Sequence, residues 1–115
     1  GMVGLETALS VVVKTMIETK LMNWSDLIDR MSIAPARIAG YTNQGNQIAV
    51  GSSANLILVD VDRNWHVDRD KLKSKSKNTP FNGMELPSVI TDVFHNGEQV
   101  LQDSQIVEKK SNNNE

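Results

Sequence analysis

Residues 74–100 read SKSKNTPFNGMELPSVITDVFHNGEQV, and this stretch decides the fold of the second half of the chain. From Val89 to Asn96 the side chains alternate between two sides, as they do along a β-strand. Asn96-Gly97 is the residue pair that most favours a tight hairpin turn. The chain is therefore predicted to turn here and to return as a short strand over Gln99 to Leu101.

Upstream of this hairpin the sequence predicts another strand and a long loop. Asn55 to Asp62 contains the apolar run Leu-Ile-Leu-Val, which is typical of a strand covered on both faces. Trp65 and Val67 are expected to extend a second short strand. Lys71 to Lys77 alternates lysine with serine or leucine and has no apolar period, so it is predicted to be an exposed loop.

The first 40 residues predict three helices. The longest spans Leu5 to Leu21, and Ser25 is the expected N-cap of a second, short helix. Pro35 suits the first turn of a third helix, which Gly40 can end in the left-handed conformation. In the longest helix, apolar residues recur at steps of three and four, as on one face of an amphipathic helix: Leu5, Ala8, Leu9, Val12, Val13, Met16 and Ile17.

Composition excludes several classes of function. The net charge of -2, without a basic stripe, argues against nucleic acid as a partner. No apolar run approaches the roughly 18 residues that a membrane span needs, and the start has no secretory pattern. Cysteine is absent, so neither a disulfide framework nor a thiolate metal site is possible. We expect a soluble protein, compatible with the cytoplasm.

Few residues could carry chemistry. His66 and His95 have no second ligand at a helical spacing, so a histidine on a strand face is the favoured interpretation over a metal ligand. Asp60 and Asp62 could pair as acid and base, although solvent-facing carboxylates are the simpler interpretation. The serines of the lysine-rich loop lack the glycine-rich turn of a phosphate site. No catalytic triad can be assembled.

The segment before the first helix is the remaining candidate. Gly1 and Gly4 flank Met2 and Val3, and such a loop could present backbone groups to a ligand near the helix N-terminus. A plain connector is the favoured interpretation from these residues alone.

Four stretches, in this order, resemble the C-terminal third of bacterial dihydroorotases, which belong to the cyclic amidohydrolase superfamily. The most specific is the SKSKNTPFNG segment with its strand and hairpin, since SKS-x-NTPF-x-G is close to a signature of that family. Together the four cover residues 1 to about 101: GMVGLETAL at 1–9, WSDL with MSIAPARI at 24–38, GNQIAVGSSANLILVD at 45–60, and the stretch at 74–100.

Three positions depart from the family pattern. Ala34 stands where asparagine would cap the third helix, at an expected cost of about 1 kcal/mol. Asn55 replaces an aspartate. Ser88 stands where glycine is usual, so we expect a slightly different backbone conformation before the strand.

The resemblance implies an α+β chain. Residues 1–41 would be late helices of a (β/α)8 metal-dependent hydrolase barrel, and 42–102 would be strands of its small composite β domain. Residues 103–115 are expected to be a disordered tail. On this interpretation the chain is a fragment or processed piece of a larger enzyme, and its apolar faces meet a barrel that lies outside it.

The resemblance also implies a function. Dihydroorotases reversibly hydrolyse the ring amide of dihydroorotate to N-carbamoyl-aspartate in pyrimidine biosynthesis, using one or two zinc ions. The family's metal ligands and catalytic aspartate have no counterpart here, so no catalytic or metal residue is assigned. Only the backbone of Gly1 and Met2 would lie near the substrate. The chain alone is expected to be inactive.

Other assignments stay open. The parent could be an allantoinase or hydantoinase of the same superfamily, or a non-catalytic dihydroorotase-like partner of aspartate carbamoyltransferase. Besides the remainder of the barrel, a second copy or aspartate carbamoyltransferase are possible partners.

Overall fold

The first 40 residues form two helical stretches in the computed structural model, which describes residues 1–108. The first stretch consists of α1, Ala8–Val12, and a π-helical segment, Val13–Ile17. The second runs without a break through α2, Trp24–Ile28, a π-helical segment, Asp29–Ile33, and α3, Ala34–Ala39. The second and third predicted helices therefore form one continuous stretch, because Ser32 does not interrupt it.

The first stretch is shorter than its apolar pattern predicts and buries a different face. Leu5 is 97% exposed, and Lys20, at φ 62°, takes the left-handed conformation that ends helices. The buried side chains are Thr7, Ser10 and Val13, at steps of three. Of the predicted apolar stripe, only Val13 is buried. Two hydroxyl side chains replace the expected apolar contacts.

The second stretch begins at a cap that the sequence interpretation placed two residues too late. Asn23, not Ser25, is the N-cap: its side chain accepts from the Asp26 N–H at 2.9 Å, and the Asp26 carboxylate accepts from the Asn23 N–H at 3.0 Å. This reciprocal capping box satisfies two helix-end donors. At the other end Gly40 is left-handed, at φ 76°, as predicted. Ala34 lies inside the stretch, so the expected capping loss does not arise there.

Four strands form a sheet in the order β1-β2-β3-β4. The strands are β1, Leu56–His66, β2, Glu85–His95, β3, Glu98–Gln102, and β4, Gln105–Ile106. β3 is antiparallel to both β2 and β4. Val67 accepts from the Gly83 N–H and donates to Met84, which closes the long connection between β1 and β2. Trp65, predicted in a separate strand, belongs to β1.

Two tight turns join the last three strands. Asn96, at φ 48°, and Gly97, at φ 81°, form the predicted hairpin turn, since both central residues have positive φ. Asp103 and Ser104 also have positive φ, 48° and 62°, and lead into β4. The prediction of a disordered tail from residue 103 is therefore wrong for 103–106. The part of that prediction covering 109–115 lies outside the described residues.

The apolar run of β1 predicted a strand covered on both faces, and this prediction is wrong for the described residues. Ile57, Leu58 and Val61 are 48–51% exposed, and β1 lies at one edge of the sheet. The deeply buried strand residues are instead at the start of β2, where Leu86 is 1% exposed.

The chain divides into two units, each built from two separate segments. One unit comprises Gly1–Met31 and Asp60–Val89, and the other comprises Ser32–Val59 and the chain from Ile90 onward. The first unit contains most of the buried apolar side chains: Val13, Leu27, Val67, Leu72 and Leu86. The boundary expected after residue 41 does not coincide with this division.

Within the second unit, Gly45 and Asn55 fix the irregular segment that precedes β1. A Cβ at Gly45 would lie 3.0 Å from the Ala36 Cβ and 3.0 Å from the Ser32 carbonyl oxygen, and φ is +68°, so only glycine fits without strain. The Asn55 amide donates to the Asn43 carbonyl at 2.7 Å, and its oxygen accepts from the Asn96 N–H at 2.8 Å. The first of these bonds requires the amide that replaces the usual aspartate.

Candidate functional site

The N-terminal segment Gly1–Val3 is held by a loop formed by residues 73–79, here called the clamp loop. The Asn78 side-chain amide donates to the Gly1 carbonyl, and the Asn78 carbonyl accepts from the Val3 N–H at 2.9 Å. One residue of the NTPF motif thus fixes both neighbours of Met2. The Met2 side chain is 63% exposed. The two residues predicted to lie near a substrate therefore form an ordered, accessible segment.

A second link ties the clamp loop to the start of α1. The Glu6 Oε2 accepts from the Lys73 N–H at 2.9 Å and from the Ser74 N–H at 3.4 Å. Hydrogen bonds from backbone N–H groups to a carboxylate are charge-assisted and stronger than neutral ones. These two N–H groups could otherwise receive a free anion, so the chain's own carboxylate occupies the position that a phosphate would need.

Two buried threonines set the internal conformation of the two connected loops. Thr7 is 2% exposed, and its hydroxyl donates to the Gly4 carbonyl at 3.3 Å. Thr79 is 9% exposed, and its hydroxyl accepts from the Phe81 N–H at 3.2 Å. Buried hydroxyls with partners resist rearrangement, because breaking either bond leaves an unpaired polar group.

A chain of hydrogen bonds connects β1, α1 and β2. The Trp65 Nε1 donates to the Ser10 Oγ at 2.9 Å, and the Ser10 hydroxyl donates to the Ser88 carbonyl at 2.9 Å. Ser88 has φ 68° and is 1% exposed, and its own Oγ has no hydrogen-bond partner. The backbone here takes the conformation that glycine would adopt freely, which explains why the family pattern has glycine at this position.

The ionisable candidates do not form a reactive group. His66 Nε2 lies 3.4 Å from Glu85 Oε1, and both side chains are more than half exposed. The Asp60 carboxylate accepts from the Asp62 N–H at 3.1 Å, so it supports the backbone and does not pair with a second acid. His95 is exposed at the end of β2.

A metal ion finds no ready set of ligands in this part of the chain. Between residues 1 and 108, no three or more His, Cys, Asp or Glu side chains are grouped so that they could hold one. The described residues therefore do not assemble a metal site of their own. Within the same residues, every helix is too short or too polar to cross a lipid bilayer.

Sequence reasoning singled out Gly1 and Met2 but missed Asn78, Glu6 and the Trp65–Ser10 contact. Asn78 stands inside the NTPF motif and Glu6 inside GLETAL, so the motifs marked the right segments. Asn78 bonds to Gly1, 77 positions away, and Glu6 bonds to Lys73, 67 positions away. No local pattern predicts such contacts.

A family model described as the amidohydrolase family matches residues 3–100. Among curated proteins, a dihydroorotase from Streptomyces coelicolor is 45% identical over 106 residues, which are 92% of this chain and 25% of that protein. A dihydroorotase from Mycobacterium leprae is 48% identical over 97 residues, covering 84% and 23%. The chain thus spans about a quarter of the length of the curated relatives that it matches.

Solved structures agree with this fold. An L-hydantoinase (dihydropyrimidinase) from Arthrobacter aurescens superposes with a TM-score of 0.85 at 27% identity, covering 95% of this chain and 24% of that one. A D-hydantoinase (dihydropyrimidinase) from Thermus sp. gives a TM-score of 0.86 at 22% identity, covering 96% and 24%. At 22% identity, the likeness to the Thermus sp. structure concerns the fold alone.

Proposed function

Since the chain belongs to the amidohydrolase family, we propose that it serves as the C-terminal portion of a dihydroorotase. That enzyme reversibly hydrolyses the ring amide of dihydroorotate to N-carbamoyl-aspartate. The observation that carries the proposal is the 45% identity to the Streptomyces coelicolor dihydroorotase over 92% of this chain. The held but accessible Gly1–Val3 segment supports it, because the expected substrate contact lies there.

The proposed role in the fold is that of a piece completed by the rest of the enzyme. The two helical stretches would be late helices of a (β/α)8 barrel, and β1–β4 would belong to its small composite β domain. Large apolar side chains without cover support this arrangement, since such groups are normally buried or at interfaces. They include Leu5 at 97%, Ile38 at 84%, Ile48 at 88% and the half-exposed residues of β1.

The part of the reaction assigned to this chain is substrate positioning. The Gly1–Met2 backbone would offer hydrogen-bonding groups to the polar edge of the cyclic substrate, and none of the described side chains is assigned a proton transfer. Proteins of this kind are generally metal-dependent. We propose zinc, with ligands outside the described residues, since these residues do not fit a metal site.

The proposed setting is the cytoplasm, with dihydroorotate and N-carbamoyl-aspartate as substrate and product. The parent enzyme would function as a homodimer or together with aspartate carbamoyltransferase. The absence of cysteine agrees with this setting, because nothing in the chain depends on an oxidising compartment.

A hydantoinase or allantoinase activity is the second candidate. The structural match to the Arthrobacter aurescens L-hydantoinase favours it. The higher sequence identity to several dihydroorotases favours the first candidate. A non-catalytic, dihydroorotase-like partner of aspartate carbamoyltransferase is the third.

An assay of the full-length protein that carries this segment separates the three. The protein is supplied in parallel with dihydroorotate, N-carbamoyl-aspartate, hydantoin and allantoin. Each activity is measured before chelation of the metal, after chelation, and after zinc is restored. We expect turnover of the first two compounds only, lost on chelation and regained with the metal. Preference for hydantoin or allantoin would overturn the proposal. Lack of any turnover, with stable binding to aspartate carbamoyltransferase, would establish the third candidate.

A further inference from the structure

We propose that Asn78 and Glu6 are positioning residues for the substrate-binding backbone at Gly1–Val3, an inference that rests on the proposed function. Neither residue is expected to touch the substrate. Each acts through the backbone, Asn78 by holding both neighbours of Met2 and Glu6 by anchoring the clamp loop that carries Asn78.

The contacts of Asn78 explain why Met2 is presented in one orientation. Its side chain donates to the Gly1 carbonyl and its carbonyl accepts from the Val3 N–H, so the peptide groups on either side are fixed. Within residues 1–108, no backbone carbonyl accepts a hydrogen bond from the Met2 N–H. That N–H is therefore free to donate to a carboxylate or carbonyl oxygen of the substrate.

The contacts of Glu6 explain why the clamp loop stays in place. The lysine-rich sequence has no apolar residue between Lys73 and Asn78 that could bury itself and hold the loop. Its anchor on the N-terminal side is instead the Glu6 carboxylate, which accepts from two successive N–H groups at 2.9 and 3.4 Å. Loss of this anchor would let Asn78, and with it Met2, move.

Both residues are exposed, so their role can be separated from folding. Exposed side chains away from buried networks usually change the free energy of unfolding by less than about 0.5 kcal/mol when replaced. A positioning role instead predicts a change in substrate affinity at nearly constant stability, because substrate-binding groups become less well ordered.

The test compares Asn78→Ala and Glu6→Ala with the unchanged full-length protein. We expect KM for dihydroorotate to rise about tenfold in each variant while kcat changes less than about twofold, the pattern of lost binding that is shared by ground and transition state. Glu6→Gln retains an oxygen acceptor and should keep KM within about threefold of the unchanged protein. Amide hydrogen exchange at Val3, whose N–H donates to the Asn78 carbonyl, should be faster in Asn78→Ala.

Asn82→Ala is the matched control. Asn82 is an exposed asparagine in the same connection between β1 and β2, and its side chain accepts from the Arg69 N–H at 2.9 Å, not from residues 1–6. The KM of the Asn82→Ala variant for dihydroorotate should be unchanged. An equal rise of KM in Asn82→Ala, or unchanged KM in both alanine variants, would overturn the inference.

The two proposals fail in different ways. A full-length protein that does not turn over dihydroorotate contradicts the proposed function. In that case exchange at Val3 still decides the positioning role: faster exchange in Asn78→Ala supports it, and unchanged exchange overturns it.

Discussion

At the scale of single residues, Ser88 combines two unfavourable features. Its backbone is left-handed, at φ 68°, and its buried hydroxyl has no hydrogen-bond partner. A non-glycine residue in this conformation costs on the order of 1 kcal/mol or more, and an unpaired buried hydroxyl costs about 1–3 kcal/mol. The contact that matters to its neighbours uses the Ser88 carbonyl, which any residue supplies.

Ser88→Gly is therefore expected to stabilise the protein by about 1 kcal/mol, since relief of both features outweighs the entropy that glycine loses on folding. Urea unfolding measures the change. Ser53→Gly is the control, because Ser53 is exposed and its φ is not positive. It should be neutral or slightly destabilising, and equal effects of the two substitutions would contradict the explanation.

Residue-scale features were predictable where a single position dictates its own backbone. The Asn96-Gly97 turn and the left-handed Gly40 follow from residue type alone and are confirmed. The cap was misplaced because Ser25 and Asn23 are both good caps, and the choice depends on which of them has a partner three residues on. Asn23 has Asp26 there.

At the scale of elements, α1 is joined to β1 and β2 through polar contacts. Ser10, 5% exposed, accepts from Trp65 and donates to the Ser88 carbonyl. The apolar period predicted a helix here, longer than the one that forms, but could not identify its buried face, because two hydroxyl side chains lie there. The two partners of Ser10 stand 55 and 78 positions away, beyond the reach of any local pattern.

Ser10→Ala should destabilise the protein by about 1–3 kcal/mol, because it leaves the Trp65 Nε1–H without its acceptor. The emission of Trp65 should also change, which unfolding followed by fluorescence detects against the constant signal of Trp24. Thr15→Ala removes a hydroxyl from the same helical stretch that bonds only to the Val11 carbonyl at 2.7 Å. A loss of stability in Thr15→Ala as large as in Ser10→Ala would argue against the buried network.

At the scale of the whole molecule, the described residues present apolar surface but no metal site. We expect the 115-residue chain alone, supplied with zinc, to give no turnover of dihydroorotate, because the described residues do not group ligands for a metal ion. The measurement is product formation by the purified chain, with the full-length protein at equal concentration as the positive control. Zinc-dependent turnover by the chain alone would refute this expectation.

The order of the elements, helices first and strands after them, predicted the correct class, α+β, from sequence. The division into two units did not follow from it, because each unit joins segments that are far apart in sequence. Sequence pattern reports neighbours along the chain, whereas the clamp loop and Gly1–Val3 are neighbours only after folding.

The hydrogen bonds that involve Glu6, Gly1 and Ser10 span 67, 77 and 78 positions of the chain, and this sets an order of events during synthesis. At about 5–20 residues per second, Ser88 leaves the ribosome roughly 4–16 s after Ser10. Closing so large a loop is also entropically slow. The first helical stretch therefore spends its earliest seconds without its partners, and nascent-chain chaperones have that interval in which to bind it.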